Sequence, residues 1–176
     1  EHNLLVGYGK KTRKRLQYQD NTTRILPAST VGFDADYKRG GLNLYLTQFD
    51  KFSPRQQSGF GDDLKTASGD VIDNMSIYGV VYVLPTDTKL NLEHAESKDY
   101  LKSTFAKVEH KFNLGDKRAI TLAASYGNQQ DAGSLFGKEH EATFVDLQSK
   151  YNFGNYYVGL AYNQVSDGDF EETFFA

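Results

Sequence analysis

The chain has 176 residues, no cysteine, a formal net charge of −3 and 14% aromatic residues. Without thiols there are no disulfides, no thiolate catalysis and few routes to structural zinc, and so mild a charge gives no reason to expect a nucleic-acid partner. Mean hydropathy is −0.59, and no apolar run approaches the ~18 residues of a membrane-spanning helix. A membrane barrel stays open, because its strands alternate lipid-facing and lumen-facing residues and average to low hydropathy. The 12 Tyr and 12 Phe argue against disorder. The sequence opens at Glu1 with neither an initiator methionine nor a signal peptide, as a mature form or an internal piece would.

Helical periodicity is weak throughout, and period-two alternation recurs. It predicts nine strands, at 3–11, 29–38, 42–52, 74–84, 88–96, 99–114, 118–128, 139–153 and 156–167. Most reach ~9–11 residues or more, longer than the ~5–6 of soluble sheets and suited to a tilted bilayer crossing. Tight turns fall at Arg39-Gly40-Gly41, Pro85-Thr86-Asp87-Thr88, Gly115-Asp116-Lys117 and Gly154-Asn155, all with hairpin chemistry. Longer loops near 12–28, 53–73 and 129–138 alternate with them, with a short exception at Ser97-Lys98-Asp99. Short turns at one end and long loops at the other are the layout of an outer-membrane β-barrel.

The faces separate cleanly. Strand 29–38 sets Val31, Phe33, Ala35 and Tyr37 against Gly32, Asp34, Asp36 and Lys38. Strand 99–114 sets Thr104, Ala106, Val108 and Phe112 against Ser103, Lys107, Glu109 and Lys111. In strand 118–128, Ile120, Leu122, Ala124 and Tyr126 oppose Thr121, Ala123, Ser125 and Gly127. Strand 139–153 sets Val145, Leu147, Tyr151 and Phe153 against Asp146, Gln148, Lys150 and Asn152. Strand 156–167 sets Val158, Leu160 and Tyr162 against Gly159, Ala161 and Asn163. Apolar sets suit lipid and polar sets a wet lumen. A soluble β-barrel binding module would show the same alternation inverted, so periodicity alone leaves that rival standing. Aromatic placement favours the membrane: Tyr37, Phe112, Tyr151, Phe153, Tyr156 and Tyr157 lie near the tight turns, where an interfacial girdle belongs.

Catalytic chemistry is hard to find. His2, His94, His110 and His140 lack metal-ligand spacing, Asp62-Asp63 reads as a solvated loop pair, and neither Ser58-Gly59 nor Ser68-Gly69 forms a nucleophile elbow. No enzyme activity, cofactor or metal is expected. The run Lys10-Lys11-Thr12-Arg13-Lys14-Arg15 is densely basic and reads first as a solvated rim. Further along that loop, Ile25 and Leu26 beside Pro27 should fold against a surface rather than stand in solvent. Inside a barrel they would pack on the wall and leave Arg24 at the opening, where charged side chains make a pore selective.

The segment Thr23-Arg24-Ile25-Leu26-Pro27-Ala28-Ser29-Thr30-Val31-Gly32-Phe33 resembles the constriction-loop region of the OprD-type porins. The likeness continues through Gly41-Leu42-Asn43-Leu44, through Phe49-Asp50-Lys51-Phe52-Ser53-Pro54-Arg55 and from Tyr78 to Gly133, and ends near Tyr156–Phe170. The resemblance implies an antiparallel monomeric barrel of about 18 strands in the Gram-negative outer membrane, of which residues 1–176 are part of one barrel domain. It implies passive, substrate-selective uptake of small water-soluble nutrients bearing carboxylates, such as basic amino acids or aromatic acids, with outer-membrane lipid around the barrel. By position Arg24 matches the family's loop arginine, while most of the family's basic ladder lies in strands outside this sequence. Lumen alternation adds Lys38, Lys107, Glu109, Lys111, Asp146 and Lys150 as pore-lining candidates. A loose trimer and a non-conducting adhesive barrel remain alternatives to the monomeric channel.

The sequence departs from the family in extent. It ends at Phe174-Phe175-Ala176 in what reads as a loop, and nine strands would leave two open edges in lipid. It is therefore expected to be the middle of a larger porin. Replacing Arg24 with alanine should change the conductance or ion selectivity of that channel in planar bilayers; unchanged values would take Arg24 out of the constriction.

Overall fold

The computed structural model describes residues 2–23, 25–56, 58–66 and 68–166. Eleven strands follow in chain order: β1 (His2–Lys11), β2 (Ser29–Arg39), β3 (Leu42–Ser53), β4 (Asp62–Lys65), β5 (Val71–Ile72), β6 (Met75–Val83), β7 (Thr88–Ser97), β8 (Leu101–Gly115), β9 (Arg118–Asp131), β10 (Glu141–Phe153) and β11 (Tyr156–Ser166). Nine of them form one antiparallel meander, β1-β2-β3-β6-β7-β8-β9-β10-β11, and β4 and β5 hang from the end of β3. The nine match the predicted strands to within a few residues. The β4–β5 ribbon is an addition within the 53–73 loop, and Asp62 and Asp63 belong to its first strand rather than to irregular chain.

The hairpins are tight at one end because their residues tolerate the left-handed conformation. Asp116 (φ 48°) and Lys117 (φ 59°) take it consecutively, the geometry of a type I′ turn, and Gly40, Asp87 and Gly154 take it at the other three. At the opposite end only the 98–100 turn is short.

Strict alternation makes one face of the sheet apolar and exposed: Leu46, Leu92, Val108, Leu122, Leu147 and Leu160 all stand free on it. Such a face is unstable in water and at home in acyl chains. Tyr37, Phe112, Tyr151, Phe153 and Tyr156 share it near the tight turns. Tyr157 does not: it pairs with Asn152 across β10–β11 and so shares the opposite face with Lys150.

That opposite, inner face is not uniformly wet. At the long-loop end the segments 12–28, 54–74 and 132–140 fold onto it, and Leu64 and Ile72 from the β4–β5 ribbon close a buried cluster with Tyr45, Phe49, Met75, Ile77, Ala95 and Leu101. The loop residues expected to pack there do not: Ile25 is 100% exposed and Leu26 48%, and Tyr18 takes the place against Phe49, ring centroids 5.0 Å apart. Tyr18 reaches the wall because the chain turns back sharply at Arg15–Tyr18, whereas Ile25 comes well after that turn.

Gly32 is dictated by close approach. Opposite Gly32 the register of β3 shifts by a bulge between its partners Phe49 and Lys51. A Cβ on Gly32 would fall on the Gln48 carbonyl and within 2.6 Å of the Phe49 Cβ. Gly32→Ala should therefore destabilise the refolded full-length barrel by ~1–3 kcal/mol, whereas Gly159→Ala, with its nearest neighbour at 3.6 Å, should leave the urea unfolding midpoint unchanged.

Candidate permeation site on the inner wall

The inner face is organised in rungs, sets of residues paired side by side across successive strands. At the long-loop end a rung runs Asp34–Thr47–Ile77–Ala95–Ser103–Gln129–Ala142, and the next Asp36–Tyr45–Gly79–Glu93–Phe105–Gly127–Phe144. Both carry carboxylates that would be costly to bury alone.

The basic run supplies their partners. Its arginines are not a solvated rim, although Lys10, Lys11 and Lys14 are exposed. Arg13 is buried: its Nε and Nη2 donate to Asp34 Oδ2 at 3.1 and 2.9 Å, and its Nη1 donates to the Thr30 hydroxyl at 2.8 Å. Lys11 Nζ lies 2.9 Å from the same Asp34 oxygen. Arg15 meets Asp36 in a two-pronged pair at 2.9 and 3.1 Å, donates to Thr47 Oγ1 at 2.8 Å, and lays its guanidinium 4.5 Å from the Tyr45 ring centroid. Burial works against the Arg15 charge, but Asp36 and Asp34 outweigh it and hold its pKa above the ordinary value. Within the loop, Asp20 accepts the Arg13 amide at 2.6 Å and the Tyr18 hydroxyl at 2.7 Å. Burial raises the Asp20 carboxyl above the usual aspartate range against these bonds, and burial likewise pushes the Tyr18 phenol far up.

Towards the tight turns the wall is open and polar. The third rung is Lys38–Asn43–Val81–Asn91–Lys107–Ser125–Asp146–Asn163. Below it Lys89 and Glu109 are paired, and below them Lys111–Thr121–Lys150. Six of the seven sequence candidates thus share the inner face; Arg24 lies outside the described residues. Lys107 and Asp146 flank Ser125, with Asp146 buried and accepting from Gln148 Nε2 at 2.8 Å. Glu109 lies 4.0 Å from Lys107. Lys111 and Lys150 flank Thr121 in a concavity of about 560 Å³ that Glu109, Lys117, Arg118, Asn113 and Asn152 also line. Lys150 Nζ sits 4.3 Å from the Tyr157 ring centroid. Neither Lys111 nor Lys150 has a carboxylate within ion-pair distance among the described residues.

Sequence reasoning missed Arg13, Arg15 and Glu93 as anchors, and Lys89 as an inner-face cation. A usable signal existed: five cations in the six residues from Lys10 to Arg15 lead out of the strand hydrogen-bonded to the one carrying Asp34 and Asp36.

An alternating sheet with long loops folded onto its charged face and an apolar face left bare is the wall of a transmembrane β-barrel channel. The chain belongs to the OprD family of outer-membrane porins, whose family model matches residues 6–174. It superposes on Pseudomonas aeruginosa OccK2 (OpdF) with a TM-score of 0.82 at 24% identity, over 95% of this chain and 45% of that one. P. aeruginosa OpdK with vanillate gives 0.81 at 22% identity over 92% and 44%, and Acinetobacter baumannii OccAB3 gives 0.80 at 21% over 91% and 41%. The chain therefore spans less than half the length of these solved relatives. No curated protein sequence matches it.

Removing Arg13 strands the Asp34 carboxylate under the loop. Arg13→Ala should cost the full-length barrel about 3 kcal/mol in urea unfolding, while Lys98→Ala, which breaks only the exposed pair with Asp73, should leave the midpoint where it was.

Proposed function

We propose that the whole porin to which this chain contributes gives passive, selective passage to small water-soluble solutes carrying a carboxylate. No bond is made or broken on the way. The chain would form part of a single barrel domain, a monomer sitting in outer-membrane lipid. The observation that carries the reading is the imbalance of charge along the inner wall. Asp34, Asp36 and Glu93 are all occupied by the 12–28 loop, whereas Lys38, Lys89, Lys111 and Lys150 on the open part of the wall have no carboxylate within ion-pair distance among the described residues. Among the described residues only Glu109 and Asp146 oppose them there, and Glu109 faces Lys107. A solute past the loop meets a net positive wall, which raises the local concentration of anions. Arg24, by its place in the loop, would act at the narrowing, with Lys38, Lys107, Lys111 and Lys150 guiding the carboxylate and Glu109 and Asp146 limiting how tightly it is held, since conduction needs sites weak enough to leave. The glucuronate-bound structure of P. aeruginosa OccK2 and the vanillate-bound structure of OpdK supply two carboxylates as first permeants to try.

The test is the reversal potential of the full-length channel in a KCl gradient, before and after the double change Lys111→Gln and Lys150→Gln. The anion-over-cation permeability ratio should fall about fivefold, the factor that ~1 kcal/mol of lost attraction gives at close range in water. An unmoved ratio would remove these lysines from the path, and a folded protein without conductance would remove the channel reading.

A further inference from the structure

Two of the carboxylates on the inner wall, Asp146 and Glu93, have no cation within ion-pair distance among the described residues, and of the two it is Glu93 that is bonded to the loop. Glu93, on β7, is fully buried, yet its partners are neutral donors: the Leu16 amide at 3.0 Å on Oε2, the Gln17 amide at 2.7 Å on Oε1, and the Tyr45 hydroxyl in a short hydrogen bond. Leu16 and Gln17 belong to the tight turn closed by the Arg15 amide on the Tyr18 carbonyl at 2.7 Å, so Glu93 grips the loop at its tip by main chain. The grip extends sideways. Gln17 Nε2 donates to the Glu93 carbonyl at 3.2 Å, and Gln17 Oε1 accepts from the Ser103 hydroxyl at 2.6 Å. From its root at the end of β1 the loop has crossed β2, β3 and β6 to reach β7 and β8.

The reach depends on a gap in the wall. Tyr45, Gly79 and Glu93 stand side by side on one rung. A Cβ on Gly79 would overlap the Tyr45 ring, so the missing side chain is what lets the ring lie across β6 and deliver its hydroxyl to Glu93. The same ring carries the Arg15 guanidinium, which Asp36 on the same rung holds. With Arg13, Arg15 and Gln17 turned to the wall, the loop tip presents Lys14, Leu16 and Gln19 to the open side.

We propose that Glu93 is the positioning residue of the channel's aperture: through Tyr45 and the Leu16 and Gln17 amides it fixes how far the loop stands across the lumen, and so where Lys14 and Leu16 meet a passing solute. The assignment deepens the channel reading and rests on it. Binding backbone amides, not side chains, makes the seat indifferent to which residues the tip presents, so tip chemistry can vary while its position is kept. Lys14 and Leu16 then act on permeants, and Glu93 acts only through them.

Single-channel recording on the refolded full-length porin tests this with Glu93→Gln, Tyr45→Phe and Gly79→Ala, each first checked for a heat-shifted band on a gel. Glu93→Gln replaces hydrogen bonds to a charge with weaker ones, and the loop-displaced state should gain about tenfold in population, seen as open-channel noise and a larger mean conductance. Tyr45→Phe keeps both amide bonds and should move the same quantities less. Gly79→Ala should act like Glu93→Gln because it pushes the ring off the rung. Adding Lys14→Gln should alter ion selectivity when Glu93 is present and lose that effect when Glu93 is changed, a coupling that a merely stabilising Glu93 would not produce. Heat-shifted variants with the parent's noise, conductance and selectivity would overturn the proposal while leaving the channel reading intact. A parent that folds without conducting would overturn the channel reading and this assignment with it, and the absence of conductance separates that result from the first.

Discussion

A carboxylate taken out of water costs several kcal/mol unless it is met by charge or by a full set of donors, and Asp34, Asp36 and Glu93 set that demand on two neighbouring rungs of the inner wall. The loop from 12 to 28 answers all three, with guanidinium groups for the aspartates and main-chain amides for the glutamate. The loop is therefore held across the wall by electrostatics more than by its apolar residues, which is why Ile25 can stand exposed. The same neutralisation decides the field beyond the loop. Once the acidic rungs are covered, the lysines lower on the wall set the sign of the potential along it.

The strands were legible because the alternation is imposed by two different solvents. Along β8 every second residue from Lys107 to Lys111 is charged, whereas Ala106, Val108 and Phe112 between and beside them are apolar, and no other period fits that row. The turns were legible because left-handed positions favour glycine, asparagine and aspartate, and Gly40, Asp87, Gly115, Asp116 and Gly154 supply them. What sequence could not show is which inner-face residues are covered. Ser103 reads as a polar lumen residue and is buried, as are Thr47 and Gln129 on the same rung, since the segments that cover them are remote in sequence and their folding back is set by long-range pairing. Tyr157 reads as a girdle residue from its neighbours Tyr156 and Val158, but the two-residue turn fixes its parity to the other face. Arg13 and Glu93 were invisible for a related reason: each looks like any charge on a polar segment until the folding of the loop onto the wall is known.

The meander also constrains what completes the wall. Its nine strands alternate in direction, so β1 and β11 point the same way, and both edges are unpaired among the described residues. Unpaired edges are not tolerated in lipid. Antiparallel closure between two edges of the same direction takes an odd number of further strands, beginning and ending in the opposite direction. A second copy of this sheet fails that test even though it has an odd number, because with its long loops at the same end its edges would meet β1 and β11 in parallel. Turning it over would make the pairs antiparallel but put its long loops among the tight turns, at the end where no loop covers the wall. Closure thus calls for different strands of a longer chain with the opposite starting direction. The loop seat bears on the same point: among the described strands the tip reaches as far as β8, so Lys14 and Leu16 would face whatever wall those further strands bring.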